Sequence, residues 1–170
     1  MKKKNATFII AAVSLNGVIG LDNKLPWICK EDLQHFKLLT TGSTVIMGHN
    51  TFKSIGKALP SRSNIVISKD PELKILDCLV SNSLEDAVNN TEDIVFIIGG
   101  EQIYRESLQY ADYMYITEIQ KEVKGDTFFP EIDKTIWKET TRIKKSQTIP
   151  EVLEYHFVIY TRISSIKERI

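Results

Sequence analysis

The sequence predicts a single α/β domain: a mixed, mostly parallel sheet with flanking helices and an antiparallel C-terminal edge. Three observations predict it. Short runs rich in Val and Ile alternate with helical patterns, the arrangement of βαβ crossovers. These runs are apolar on both faces, as in a sheet covered on both sides. The last third changes character: "KETTRIKKS" and "LEYHFVIYTRI" follow one another with no helix between them, and read as antiparallel strands.

The elements follow in order. "TFIIAAV" is the first strand, and "VSLNGVIGLDNKLPW", residues 13 to 27, has no helix period and holds Asn16, Gly17, Gly20, Asp22, Asn23 and Pro26. It reads as a long loop, and long loops at strand ends bind ligands or act as lids. A tolerated surface loop is the alternative, and Trp27 argues against it, because an indole usually finds a pocket or a core wall.

Residues 29–40 read as a helix with Cys29, Leu33, Phe36 and Thr40 on its core-facing side, while Lys30, Glu31, Gln34 and Lys37 point to water. Asp32 lies within the apolar side. Acids early in a helix complement its dipole, which accounts for Glu31. For Asp32 the same explanation competes with another: an ionised carboxylate facing a core costs several kcal/mol unless paired, and is a site candidate.

"TVIMG" is the next strand, followed by a helix from Thr51 that repeats a strand–Gly–helix arrangement. Thr51 can cap that helix, or its hydroxyl and the neighbouring N–H groups can hold a pyrophosphate. "NIVIS" is a strand, and Arg62 sits in the turn before it, either as a surface arginine or as a bidentate partner for a carboxylate. "CLVS", a helix near 84–90 and the strand "IVFIIGG" come next, then a helix from Glu101. Gly99–Gly100 is either a tight turn or a close approach of backbone to ligand. It is not a GxGxxG fingerprint, since position 102 is Gln and no third glycine is in register. Two phosphate-friendly helix starts in one small domain point to a dinucleotide. "YMYIT" and the two final strands, joined through "TIPEV", complete the sheet; residues 1–163 form the domain and 164–170 a frayed tail.

Composition excludes several classes. At 170 residues the chain can bury one sizeable core, and its 22 Lys+Arg balance 22 Asp+Glu. Lys2 to Lys4 are only a short basic start, so no nucleic-acid footprint appears. "ATFIIAAV" is too short for a membrane span or a signal peptide. Cys29 and Cys78 form neither a disulfide framework nor, with three scattered histidines, a metal-ligand spacing. A reducing cytoplasm is the default.

From about Thr7 to Arg162 the chain resembles the bacterial dihydrofolate reductases. The resemblance rests on "GVIG…LPW" followed by an acid, "VIMG..TF.SIG..LP.R.N", "IIGG..IY" and "YIT…GDTFFP", taken together. It implies the dihydrofolate reductase-like fold and hydride transfer from NADPH to C6 of dihydrofolate, with a proton added at N5. Asp32 would accept hydrogen bonds from the pterin 2-amino group and N3–H, and Thr117 would bond to this acid. Burial would raise the Asp32 pKa through desolvation. Ala12, Leu33, Phe36, Ile55 and Ile98 would wall the pterin and p-aminobenzoyl pocket, and Arg62 would take the α-carboxylate of the glutamate tail. Leu25 and Trp27 would belong to a lid that Asp126 holds closed through N–H groups near Gly20 and Asp22. Water near Leu25 would deliver the N5 proton.

Positions aligned with cofactor contacts are Ala12, Ile19, Gly20, Gly48, Thr51, Ser68, Ile98, Gly99, Gly100, Ile103 and Tyr104, with the Gly99–Gly100 bond cis. The chain departs from the family where arginine commonly follows "MG": it carries His49, then Asn50. Another basic position is Gln102, and Lys69 follows Ser68 as a compensating cation. Histidine brings less charge than arginine at neutral pH, so NADPH preference is expected with weakened binding. The resemblance also implies a cytoplasmic monomer, antifolate inhibitors as ligands, and no metal, nucleic-acid or membrane partner. Two other readings exist: the pyrimidine reductase step of riboflavin synthesis, and a nucleotide-binding module without a reaction. Asp32 with Arg62 suits a pterin and a glutamate tail rather than a ribityl phosphate. Intact Leu25, Trp27, Asp32 and Thr117 suit an enzyme.

Overall fold

The computed structural model describes residues 5–164. Ser164 is the one residue of the expected tail within that range; the rest of the tail, and Lys2 to Lys4, lie outside the described residues. In chain order the elements are β1 (Thr7–Ser14), β2 (Val18–Gly20), α1 (Lys30–Thr40), β3 (Thr44–Gly48), α2 (His49–Ile55), β4 (Ser63–Ile67) and β5 (Cys78–Ser81). They continue with α3 (Leu84–Asn89), β6 (Val95–Ile97), α4 (Glu101–Ser107), β7 (Tyr113–Ile119), β8 (Thr127–Phe128), β9 (Trp137–Gln147) and β10 (Leu153–Arg162).

The main sheet has eight strands in the order β5-β4-β3-β6-β1-β7-β10-β9. Every neighbouring pair from β5 to β7 is parallel. β10 runs antiparallel to β7 and β9 antiparallel to β10. The mixed sheet with its antiparallel C-terminal edge is therefore as expected.

Strand pleating explains why the central strands are apolar at consecutive positions. Successive side chains point to opposite faces. Ile9, Ile46, Ile65 and Ile97 enter one core cluster, with Leu84, Ala87 and Val88 of α3 and Ile103 and Tyr104 of α4. Their neighbours Ile10, Val45, Met47, Val66, Phe96 and Ile98 enter the other, against Phe36 and Leu39 of α1 and Phe52 of α2. Helices on both faces bury the backbone ladders of β3, β6 and β1 and leave their carboxyl ends open.

Three expectations need correction. The 13–27 stretch is not all loop: β2 lies within it and pairs antiparallel with β8 in a second, two-stranded sheet. No periodicity marks it, because three residues are too few for an alternation and their partner is over 100 residues away. The helix expected from Thr51 begins at His49, so Thr51 lies inside its first turn and is not its cap. On α1, Cys29 and Thr40 are buried and Phe36 is half-buried, but Leu33 is 56 % exposed. The apolar side of α1 thus faces an open cleft over part of its length, not the closed core.

Ile97 is fully buried on β6, between the two halves of the parallel sheet. Ile97→Ala removes packed methylenes and leaves a cavity, and is expected to destabilise the fold by about 2–5 kcal/mol. Urea unfolding should show a lower midpoint with an unchanged slope.

Candidate active site

The carboxyl ends of parallel strands are where open α/β sheets bind ligands. Here the ends of β3 and β6 are joined by a hydrogen bond from Gly48 N–H to the Gly99 carbonyl, 2.8 Å. The Gly99–Gly100 peptide is cis. Gly99 has φ +123°, and a Cβ there would sit 3.3 Å from the Tyr104 ring, so conformation and space both require glycine. A Cβ on Gly100 would lie 3.1 Å from Thr51 Oγ1, and one on Gly48 3.2 Å from Ile103. Thr51, Gly48, Gly100 and Ile103 therefore form one close-packed surface where the two short helices α2 and α4 begin. Tyr104 lies at the same turn, close enough to Asp32 to feel its charge. It is buried beneath the turn, its hydroxyl donates to the Ile10 carbonyl at 2.8 Å, and burial pushes its pKa up.

Across β1 from that surface lies Thr117. It sits in β7, paired in register with Ala12 of β1 and Phe157 of β10. Thr117 is buried, and its hydroxyl donates to Asp32 Oδ1 at 2.5 Å. Burial raises the Asp32 pKa above the ordinary value of 3.8, and the Thr117 hydrogen bond pulls it partly back. Asp32 is the first-turn acid whose side chain turns inward. Glu31 turns the other way: it accepts a hydrogen bond from Tyr155 and pairs with Lys145 at 3.1 Å, so it does not simply face water. Tyr155 and Lys145 hold the Glu31 carboxyl below its usual range.

Arg62 is fixed from below. Its Nε donates to the Pro60 carbonyl at 2.8 Å and one Nη to Thr40 Oγ1 at 3.0 Å. Thr40, fully buried, in turn donates to the Phe36 carbonyl at 2.8 Å. The end of α1 thus orients the guanidinium, and its second Nη takes part in neither bond.

The segment between β1 and α1 is tied down at several points. Asp22 N–H donates to Asp126 Oδ2 and Asp126 N–H to the Gly20 carbonyl, each at 3.0 Å. Asn16 accepts from Val123 N–H and donates to its carbonyl. Trp27 is 5 % exposed in a cluster with Cys29, Ile119, Leu153 and Tyr155, against the half-buried Ala12 and Phe157. Its Nε1 is buried with no hydrogen-bond partner among the described residues.

The remaining candidates divide by exposure. Leu25 (47 %), Leu33 and Ile55 (37 %) present apolar surface, while Ile98 is buried and Ile19 half-buried. His49 and Ser68 are half-buried, and Asn50, Lys69 and Gln102 are exposed; Gln102 bonds to Glu106 on its own helix. Ser68 Oγ accepts from Asp70 N–H at 3.2 Å. Among the described residues, no three His, Cys, Asp or Glu side chains converge as a metal site would need. The Asn16 and Glu31 contacts escaped the sequence reading. Their partners lie more than 100 positions away, and no local pattern signals them.

A family model described as dihydrofolate reductase matches residues 6–162. The chain is 39 % identical over 160 residues to the dihydrofolate reductase of Bacillus subtilis (strain 168), covering 93 % of this chain and 95 % of that one. It is 43 % identical over 136 residues to a type 3 dihydrofolate reductase of Salmonella typhimurium, covering 79 % and 84 %. Among solved structures, it is similar to a dihydrofolate reductase from Enterococcus faecalis complexed with NADP(H) and RAB-propyl. The TM-score is 0.88 at 31 % identity, over 93 % of this chain and 96 % of that one.

The raised Asp32 pKa has a signed consequence for stability. Between the ordinary carboxyl value and the raised one, the folded protein binds more protons than the unfolded chain, so stability falls as pH rises through that window. Asp32→Asn removes the charge that is hard to bury. Its melting temperature at pH 7 should exceed that of the unaltered protein, with the difference vanishing near pH 3, as thermal unfolding across pH would measure.

Proposed function

The chain belongs to the dihydrofolate reductase family, and on that premise we propose that it reduces 7,8-dihydrofolate to 5,6,7,8-tetrahydrofolate. NADPH is the hydride donor, Asp32 anchors the pterin, and water delivers the proton to N5. The observation that carries this reading is the Thr117–Asp32 hydrogen bond at the open end of a parallel sheet. A half-buried carboxylate on an apolar helix side is suited to a ligand that brings its own N–H donors. Thr117 takes one lone pair of Oδ1, and Oδ2 with the remaining lone pair can accept the pterin 2-amino group and N3–H.

The negative charge of Asp32 near the ring favours positive charge at N5 and so its protonation. Asp32 holds the ring rather than acting as proton donor. Leu25, apolar and at the solvent side, borders the path by which water reaches N5. The orphaned Trp27 Nε1 is a buried donor for an ordered water or a pterin acceptor beside the same strands. Leu33, Phe36, Ile55 and Ile98 supply the apolar wall for the p-aminobenzoyl group, and Arg62, oriented by Thr40, receives the α-carboxylate.

The residues present fit NADPH. The cradle of Gly48, Thr51, Gly99 and Gly100 lets backbone approach a pyrophosphate where a Cβ on Gly100 would crowd Thr51. When bound, the cofactor supplies the hydride; this chain's residues orient it and exclude water. His49, Asn50, Thr51, Ser68, Lys69 and Gln102 line its polar length, and Ala12, Ile19, Gly20, Ile98 and Ile103 its apolar end. The protein acts as a monomer in the cytoplasm. No helix among the described residues is long and apolar enough to cross a membrane.

NADPH oxidation with dihydrofolate tests the reading. At pH 7 Asp32→Asn should lower the rate on the order of 10²-fold or more, with partial recovery in acid. Equal activity of the variant and the unaltered enzyme would return Asp32 to a helix-start acid. His49→Arg should tighten NADPH by roughly fivefold, the factor for about 1 kcal/mol, in a fluorescence titration; unchanged affinity would remove His49 from the account of cofactor binding.

A further inference from the structure

Helix α1 carries Asp32 in its first turn; Trp27 and Cys29, on either side of Ile28, are held by burial, but Ile28 itself is not. Cys29 is its N-cap residue and makes no side-chain capping bond. Packing does not fix the preceding residue either, since the Ile28 side chain is 54 % exposed. The Ile28 peptide is held instead by a pair of side chains from the edge of the sheet. Ile28 N–H donates to Glu151 Oε1 at 2.8 Å, and Gln147 Nε2 donates to the Ile28 carbonyl at 2.7 Å. Both polar groups of one residue are therefore clamped by the β9–β10 hairpin. Gln147 is braced across that hairpin by a bond to the Glu151 carbonyl at 3.3 Å.

The clamp is also joined to the other tie on the lid. Glu151 Oε2 pairs with Lys121 Nζ at 3.3 Å. Lys121 opens the segment that ends in Asp126, the residue bonded to Asp22, and its own carbonyl accepts Leu15 N–H at 3.1 Å. The stretch from Leu15 to Ile28 is thus held at its beginning, middle and end by one connected set of polar contacts, while Leu15, Leu25 and Ile28 stay largely exposed. The Ile28 hydrogen bond holds the Glu151 carboxyl below its usual range, so the acceptor is ionised at neutral pH and the bond is charge-assisted.

We infer that Gln147 and Glu151 are positioning residues for the reaction: by clamping the Ile28 peptide they fix the hinge between the lid residues Leu25 and Trp27 and the helix turn that presents Asp32. This rests on the reductase reading above. Neither residue touches the reacting atoms in this account; both act through Ile28. The stability contribution of two partly exposed hydrogen bonds is small, but a displacement of about 1 Å at a reacting centre can lower a rate by two orders of magnitude.

The test measures single-turnover hydride transfer with NADPH and with NADPH deuterated at both C4 positions of the nicotinamide, in enzyme titrated with methotrexate to count active sites. Glu151→Ala and Gln147→Ala should each slow hydride transfer per active site by roughly five- to twentyfold. The deuterium isotope effect on kcat should rise as that step becomes limiting, while the KM for dihydrofolate changes less. Glu151→Gln keeps an acceptor for Ile28 N–H but loses the Lys121 pair, and should stay within about threefold of the unaltered enzyme. A purely structural role would reduce the number of active sites and leave the rate per site and the isotope effect unchanged; that result overturns the inference. So does a Glu151→Gln variant as slow as Glu151→Ala, which would assign the effect to Lys121. If the unaltered protein fails to oxidise NADPH with dihydrofolate, the reductase reading falls and this inference falls with it.

Discussion

A parallel sheet covered by helices on both faces has only its outer strands and its strand ends left for ligands. That constraint organises this molecule. Ile46 and Ile97 face one helix layer, Val45, Met47 and Phe96 face the other, and the ladder between them is closed to water. Function has to be built beyond the carboxyl ends of β1, β3 and β6, from whatever the chain does as it leaves each strand. After β3 and β6 it turns into short helices through Gly48 and Gly99–Gly100. After β1 it takes the longer path that carries Leu25 and Trp27 before reaching α1.

The chemistry of the site depends on a carboxylate kept partly dry. Asp32 and Glu31 are neighbours in the same helical turn and have opposite fates. Glu31 meets a lysine and a tyrosine, which stabilise its charge. Asp32 meets a threonine and an apolar cleft, which leave its charge poorly solvated. One dissipates its charge into the scaffold, and the other keeps an unmet demand for hydrogen-bond donors. In the proposed function a pterin edge would offer such donors, and the energetic tension in the protein would become affinity in the complex.

The lid illustrates a second use of polar contacts. Trp27 and Val18 are buried and Ile19 half-buried, but Leu15, Leu25 and Ile28 are substantially exposed, so dispersion holds only part of it. Hydrogen bonds that Asn16 makes to Val123, and that Asp126, Gln147 and Glu151 make to its backbone, supply further anchors across long separations along the chain. Contacts of this kind break and reform at low cost compared with buried packing. They would suit the lid of the proposed function, which closes on the cofactor and opens again.

Much of this was legible in the chain alone. Val/Ile runs apolar on both faces determined a covered parallel sheet, the helix-free C-terminal third determined its antiparallel edge, and Asp32 stood out because an acid does not belong on the apolar side of a helix. Combined motifs pointed to the family that the comparisons show. These are local properties, fixed by periods of two and 3.6 residues and by the chemistry of single side chains. Only the tertiary structure decided that β2 and β8 pair, that α2 starts at His49, that Tyr104 lies beneath the glycine turn, and that Leu33 faces an open cleft. It alone brought Gln147 and Glu151 to Ile28. Each of these depends on which distant backbone groups meet once the sheet has closed, and a side chain more than 100 positions away leaves no periodic trace in the segment it will hold.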